Sequence, residues 1–560
     1  MEKRVFLAIF LSFVVLAAYQ ALFAPAPPPP GAVERGAPPP AASPAPSAPV
    51  EKPPAVPAPA ALFPDVGERD VVVDTDTVRA VFSTRGATLR SWKLKRYLEN
   101  GQPLEMVPVE VPDTFPRPFT ITTDDEAMTG TLSRALFKPT TEALSLGSSA
   151  GTLSFEYRDA AGLTARKTFY FQPEGKAYVV KVEAAVDVAG ASRPVTISWG
   201  PGVGLGYSPD GSSTYPVRAV QFRDDDVEYL SAGDVGEQGR YEGELRFAGV
   251  EDHYFLAVVL PAAERVTIEY RPVTLPVPND ARGRTREFVA YSVSVPGPFS
   301  LPFFIGPKDF DILRIVDAQL VRAIDFGMFS ALVVPLLLAL KWINGFVQNY
   351  GWSIVVLTVF INLAIFPLRH RSMVSMRKMQ ALQPEIKAIQ DRYAKYKMTD
   401  PERQKMNQEM MALYKQKGVN PASGCVPMLL TLPILFAFYA MLSAAIELRD
   451  APFFGWIDDL SRHDPYYVIP VLMGATQYWQ MKMTPTTADP VQQKMFMLMP
   501  IIFTVTALWF PAGLVVYWFV SNLLAIGQQQ LTNRIIGAPA RVVAAPARVR
   551  PSGNAGTGKS

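Results

Sequence analysis

The chain has 560 residues, a formal net charge of +3, and 49% hydrophobic residues alongside 52 prolines. That length holds two or more domains of ordinary size, and clumped apolar residues at a mean hydropathy of +0.12 mark a membrane protein that carries a soluble part. The single cysteine, Cys425, excludes an intrachain disulfide, so any domain outside the cytoplasm depends on its core alone.

Residues 5–24, VFLAIFLSFVVLAAYQALFA, follow Lys3 and Arg4. The run is close to the ~20 residues a bilayer needs and ends at Pro25, a poor cleavage context. Residues 1–24 are therefore read as an uncleaved anchor rather than a signal peptide, with the basic N-terminus in the cytoplasm. Residues 25–63 are rich in Pro and Ala and cannot build a core; they are a spacer. From 64 to 305 the pattern changes to short alternating runs such as DVVVDTDTVRAVFS (70–83), LTARKTFYFQ (163–172), KAYVVKVEAAVDV (176–188) and ERVTIEYRPV (264–273). Thr267, Glu269 and Arg271 alternate there with Val266, Ile268 and Tyr270. These runs predict an all-β sandwich, placed outside the cytoplasm by the single crossing before it.

Apolar runs then fall at about 328–346, 352–368, 425–446, 466–481, 495–510 and 512–527. If the first two both crossed, residues 369–417 would lie outside with 12 Lys/Arg against 5 Asp/Glu, against the positive-inside tendency. The 328–346 run carries Pro335 and Lys341 and ends amphipathically. Residues 306–350 are thus read as a connecting segment with a helix lying on the outer bilayer surface, and 351–531 as a five-span core. The tail, 532–560, is basic without an acid and fits a cytoplasmic C-terminus. The last three spans, at about 16 residues or ~24 Å, are shorter than a ~30 Å hydrocarbon core, which implies local thinning. The expected fold class is a multi-domain membrane protein: an α-helical five-span core plus an N-terminal anchor span, with an extracytoplasmic β-sandwich.

Asn362 lies in the middle of the 352–368 span, where an amide needs a partner or water. Thr358 lies one turn before it. Thr476 and Gln480, and Tyr517 and Ser521 with Asn522 beside it, repeat that spacing. Interhelical hydrogen-bond glue explains any one of these; several together favour a shared, water-accessible cavity. No Asp, Glu or His lies within these spans, and no internal repeat is visible, which argues against a coupled transporter.

Residues 369–421 read as a basic cytoplasmic helical hairpin. Pro384 breaks its first helix, Asp400–Pro401 start its second, Gly418 ends it, and Asn420–Pro421 cap the next span. Met373, Met376, Met379, Met406, Met410 and Met411 form its inner stripe, as core or as a surface for apolar segments. Its basic face suits anionic lipid or ribosomal RNA. GNAGTGKS (553–560) matches the P-loop pattern, but no strand precedes it and no helix follows. His253, His370 and His463 lack ligand spacing, and no nucleophile–base pair is evident. Neither an enzyme nor a cofactor is expected.

The layout resembles the YidC-type membrane protein insertases of Gram-negative bacteria. Local stretches that carry the likeness are MQALQPEIKAIQDRY (379–393), QEMMALYKQKGVNP (408–421), DPYYVIPVLMG (464–474) and LWFPAGLVVYWFVSNLLAIGQQQ (508–530). The resemblance is specific over about 329–531 and rests on architecture over 64–300. It implies an insertase and chaperone of the inner membrane, with both termini cytoplasmic and the β domain periplasmic. Its implied partners are nascent membrane proteins, the Sec translocon, the ribosome and membrane lipids, without sequence-specific nucleic-acid binding. It implies a polar groove, open to the cytoplasm and to lipid, with Thr358, Leu432, Leu435, Tyr517 and Trp518 along the substrate path. The family's groove usually carries a cation, typically arginine, where this chain has Asn362. Arg369 and Arg371, two turns or more further on, are expected to attract substrate at the cytoplasmic mouth but not at that depth. An envelope scaffold or a solute transporter with an outside binding domain are the alternatives.

Overall fold

The computed structural model describes residues 67–536, apart from 100, 109–114, 174, 205–215, 238, 262–264, 277–284, 394, 397–399, 420–425 and 484–489. The expected anchor and linker, Cys425, the Asn420–Pro421 cap and the P-loop-like tail lie outside the described residues.

Residues 70–307 form three sheets of five, ten and five strands. The first runs, by residue, 102–105, 88–99, 78–83, 70–75, 143–147; the segment DVVVDTDTVRAVFS becomes the central hairpin of this sheet, Asp70–Thr75 against Val78–Ser83. The middle of the large sheet is Phe255–Val259, Phe299–Pro307, Val179–Val188 and Leu163–Phe171, all antiparallel. In the third sheet the long strand Arg265–Pro276 buries Val266, Ile268 and Tyr270 and turns Arg265 and Arg271 outward, so alternation sets its faces as the sequence implies. One apolar core unites the sheets. Trp92 seals the first sheet to the second, its indole N–H donating to the Ile305 carbonyl at 3.0 Å.

Among the described residues two short α-helices interrupt the strands, α1 (Glu126–Arg134) and α2 (Ala232–Glu237). Asp125 caps α1 by accepting from the Ala127 and Met128 amides. Lys167 is buried in the sandwich with no accessible surface. Its three N–H donors go to the carbonyls of Gly86 at 3.0 Å, Ala87 at 2.8 Å and Phe119 at 2.5 Å.

Beyond the last strand the chain is helical: α3 (Phe310–Val316), α4 (Ser330–Val347), α5 (Tyr350–Ala381), α6 (Gln383–Arg392), α7 (Pro401–Gln416), α8 (Val426–Ala444), α9 (Val468–Met483), α10 (Pro490–Ala507) and α11 (Ala512–Ile536). Every apolar run expected after residue 327 is a helix. The largest boundary difference is on α5. The span read as ending at 368 continues through Pro367 to Ala381, because positive charge changes the helix's solvent and not its backbone. Pro384 then occupies the first turn of α6. Asp400 caps α7 by accepting from the Glu402 amide at 3.0 Å, and Gly418 takes the left-handed conformation after it, with φ +61°. Met379 and Met406 are buried, Met410 packs into the hairpin's apolar cluster, and Met411 is exposed.

Candidate functional site

The site begins on α5. Asn349 caps this helix, and its buried positions Ile354, Leu357, Thr358 and Asn362 share one face, as 3.6-residue periodicity requires. Thr358 donates its hydroxyl to the Ile354 carbonyl at 2.6 Å and points no free donor into the membrane. Asn362 is more connected. Its amide nitrogen donates to the Thr358 carbonyl at 2.8 Å and to Ser521 Oγ of α11 at 3.3 Å. Its oxygen accepts from Arg369 Nη1 at 3.0 Å.

That last contact corrects the expectation for Arg369. Its Cα lies ~10 Å further along the helix, but residues seven apart share a face and long helical side chains point toward the N-terminus. The guanidinium thus returns to the depth of Asn362. Among the described residues no carboxylate neutralises it; the neutral phenol of Tyr517 lies nearby. The cation that a reading of position 362 alone finds missing enters from position 369. The sequence held the signal, an i, i+7 spacing, and judging depth by the backbone rather than by the side-chain tip obscured it. A second cation at 362 would repel Arg369, whereas an amide oxygen accepts its hydrogen bond.

Tyr517 of α11 closes the group. It is buried and stacks on Phe438 of α8, ring centroids 4.1 Å apart and planes within 14°. Leu432 and Leu435 lie on α8, about two turns and one turn before Phe438, and are half-buried. Thr358, Asn362, Ser521, Arg369 and Tyr517 thus form one polar seam where α5 meets α11, with α8 alongside. Trp518 faces elsewhere and packs edge-on against Phe503 of α10, centroids 5.5 Å apart. Toward the C-terminal ends of α5 and α11 the seam continues through Gln528, which donates to the Phe366 carbonyl, His370 against Thr532 and Arg377 with Asn533.

The other polar residues form a separate seam. Asn522 donates to Thr476 Oγ1 at 3.3 Å and to the Met473 carbonyl at 3.2 Å, tying α11 to α9. Consecutive residues on a helix differ by ~100°, so Ser521 and Asn522 serve two neighbours. The polar residues thus divide between two helix pairs, and the bonds of the second are of the kind that hold membrane helices together. At Gly474 of α9 an added Cβ would overlap the Thr504 side chain of α10, so the close approach of these helices requires glycine.

Residues 342–538 match the model of the 60Kd inner membrane protein family, and residues 70–339 match that of the YidC periplasmic domain. A membrane protein insertase YidC from Geobacter metallireducens is 35% identical, with 96% of this chain and 99% of the relative aligned. The chain belongs to the YidC family. The YidC of Geobacter sp. strain M21 is 37% identical over 84% of this chain and 86% of its own. A solved structure of an active YidC insertase, with its first transmembrane domain resolved, aligns with 83% of this chain at 18% identity and a TM-score of 0.34. In YidC terms the three sheets are the periplasmic domain and α5–α11 lie in the inner-membrane domain.

Proposed function

We propose that this member of the YidC family passes hydrophobic segments of newly made proteins from the cytoplasm into the inner membrane along the seam of α5, α8 and α11. The observation that supports it best is the Arg369 guanidinium held at Asn362 between α5 and α11 with no carboxylate partner among the described residues. An unneutralised charge at that depth is costly unless it faces water or a passing anion. The polar flank of a substrate enters beside Arg369, Asn362 and Ser521. The apolar segment slides past Leu432, Leu435 and Tyr517 into lipid, beside the exposed Phe360 and Leu363 of α5. Burying ~20 apolar residues is itself favourable, so this step needs no nucleotide. Trp518, packed on α10, acts by supporting Tyr517's helix.

In this reading α5, α8, α9, α10 and α11 cross the bilayer, and both chain ends are cytoplasmic. α4 lies on the outer surface. Lys341, in the second half of α4, supports that placement: its ammonium bonds Asp311 at 2.7 Å and Glu447 at 3.0 Å, groups at the level of the periplasmic domain. The other face of α4 leaves Leu338, Trp342 and Phe346 exposed for lipid. The basic hairpin receives the incoming chain, at the ribosome or beside the Sec translocon.

The test is photocrosslinking from a stalled hydrophobic substrate segment. Crosslinkers placed at Leu432, Leu435 and Ser521 should capture it, and one at Thr476 in the second seam should not. Capture at Thr476 alone would overturn the assignment.

A further inference from the structure

The chain leaving α8 docks into the periplasmic domain through two buried charges. α8 ends at Ala444 and a short turn, Ile446–Leu448, follows with Ile446 and Leu448 buried. Between them the Glu447 side chain is only 5% exposed. Its Oε1 accepts from Lys341 Nζ of α4 at 3.0 Å and from the Phe310 amide of α3 at 3.2 Å. Arg449, with 9% of its side chain exposed, reaches the other way. Its Nη2 donates to the carbonyl of Leu98, in the strand Thr88–Glu99, at 3.1 Å. Its Cζ lies 5.7 Å from the ring centres of both Tyr254 and Phe255, where the strand Phe255–Val259 begins. Asp450 lies 3.7 Å from Arg449 Nε, and His253 hydrogen-bonds the Ser443 backbone.

Adhesion alone does not account for this joint. Buried charges adhere no better than well-packed apolar groups, and two atoms here, Glu447 Oε2 and Arg449 Nη1, are buried without a partner. Directional bonds to Leu98, Phe310 and Lys341 instead fix one register between the two halves of the molecule. The chain they fix is the outer end of α8, whose Leu435 lies nine residues back, or ~14 Å along the helix.

We propose that Glu447 and Arg449 are positioning residues through which the periplasmic domain holds α8, and with it Leu432, Leu435 and Phe438, against α5 and α11. The inference rests on the reading of α8 as a wall of the substrate path. A displacement of the domain is then transmitted along α8 to the seam, and the domain is a handle on the membrane site.

The test uses the full-length protein in proteoliposomes and reads two quantities, insertion rate and amide exchange in residues 436–444. Exchange in the strand Leu163–Phe171 reports whether the domain stays folded. Arg449→Met keeps the aliphatic stem and removes the bonds; Glu447→Leu removes both acceptor contacts; Glu447→Gln retains them. Arg449→Met and Glu447→Leu should raise exchange in 436–444 at least tenfold and slow insertion several-fold, with the strand unchanged. Glu447→Gln should stay within twofold of wild type on both. Unchanged exchange in 436–444 for Arg449→Met and Glu447→Leu would overturn the positioning role, as would loosened exchange with a wild-type insertion rate. Failure of the underlying reading shows separately. If the wild type gives no substrate crosslink at Leu435, the groove assignment falls even when exchange responds as described.

Discussion

Replacing Arg369 by Gln removes the one charge that the structure brings to Asn362 while keeping a donor and most of the length. A guanidinium and a carboxylate 4 Å apart attract by ~1 kcal/mol in bulk water and ~4 kcal/mol at an effective dielectric of ~20. A half-buried site open to water lies between these, at ~2 kcal/mol, which is about 30-fold in affinity for an acidic flank. The assay compares two single-span substrates that differ only in carrying Asp or Asn in the translocated tail, inserted at subsaturating concentration into proteoliposomes. Wild type should favour the Asp tail, and Arg369→Gln should lose most of that preference while inserting the Asn tail at a near-normal rate. Raising salt should narrow the wild-type preference, since a hydrated site is screened. Equal losses for both tails would make Arg369 a structural strap on Asn362 and refute its role as the anion-attracting group. A wild type indifferent to the tail would refute the electrostatic reasoning altogether.

Lys167→Met strands the carbonyls of Gly86, Ala87 and Phe119, each worth about 1 kcal/mol net as a hydrogen bond, so exchange in the strand Leu163–Phe171 should report about 3 kcal/mol of lost protection. Burial pushes the Lys167 ammonium down to about 7, so the unfolded chain holds the extra proton above that pH. Domain stability should therefore rise from pH 7 toward pH 10, a slope that the Met variant lacks. His253 is held near 4, chiefly by burial and then by Lys308, with Arg218 and Arg449 also opposing its charge. The neutral ring is favoured in the fold, so stability at the Ser443 contact should be lost as pH falls from about 6.5 toward 4, read as faster exchange in 443–450. Asn522→Leu breaks the second seam, and should cost about 1 kcal/mol in helix association with insertion unchanged at permissive temperature; a large loss of insertion would place that seam in the substrate path.

The parts legible in the sequence are those that local patterns dictate. Alternation at Val266, Ile268 and Tyr270 gave a strand with the expected faces, and Asp400–Pro401 gave a helix start. The apolar runs gave helices, since each must satisfy its backbone internally. What was not legible is non-local. The order of strands in the large sheet joins residues 255–259 to 299–307 and then to 179–188, which no window reports. A one-dimensional reading ended α5 at 368 because charge begins there, and so placed Arg369 outside the site that its side chain enters. The loop from Glu447 to Pro465 is net acidic, a composition that by itself suggests only an exposed segment. Its first residues instead enter the periplasmic domain, where Lys341 and Leu98, each about a hundred or more residues distant, supply their partners.

If the seam itself moves a segment into lipid, it does so without other proteins and must be polar at Asn362. The most direct measurement is insertion of a small two-span substrate into otherwise protein-free liposomes, scored by protease protection against empty liposomes, for the wild type and Asn362→Leu. The account predicts protection with the wild type and a marked loss with Leu, which removes the acceptor for Arg369 and the link to Ser521. Equal protection by both proteins, or no gain of the wild type over empty liposomes with the substrate kept insertion-competent, would contradict it.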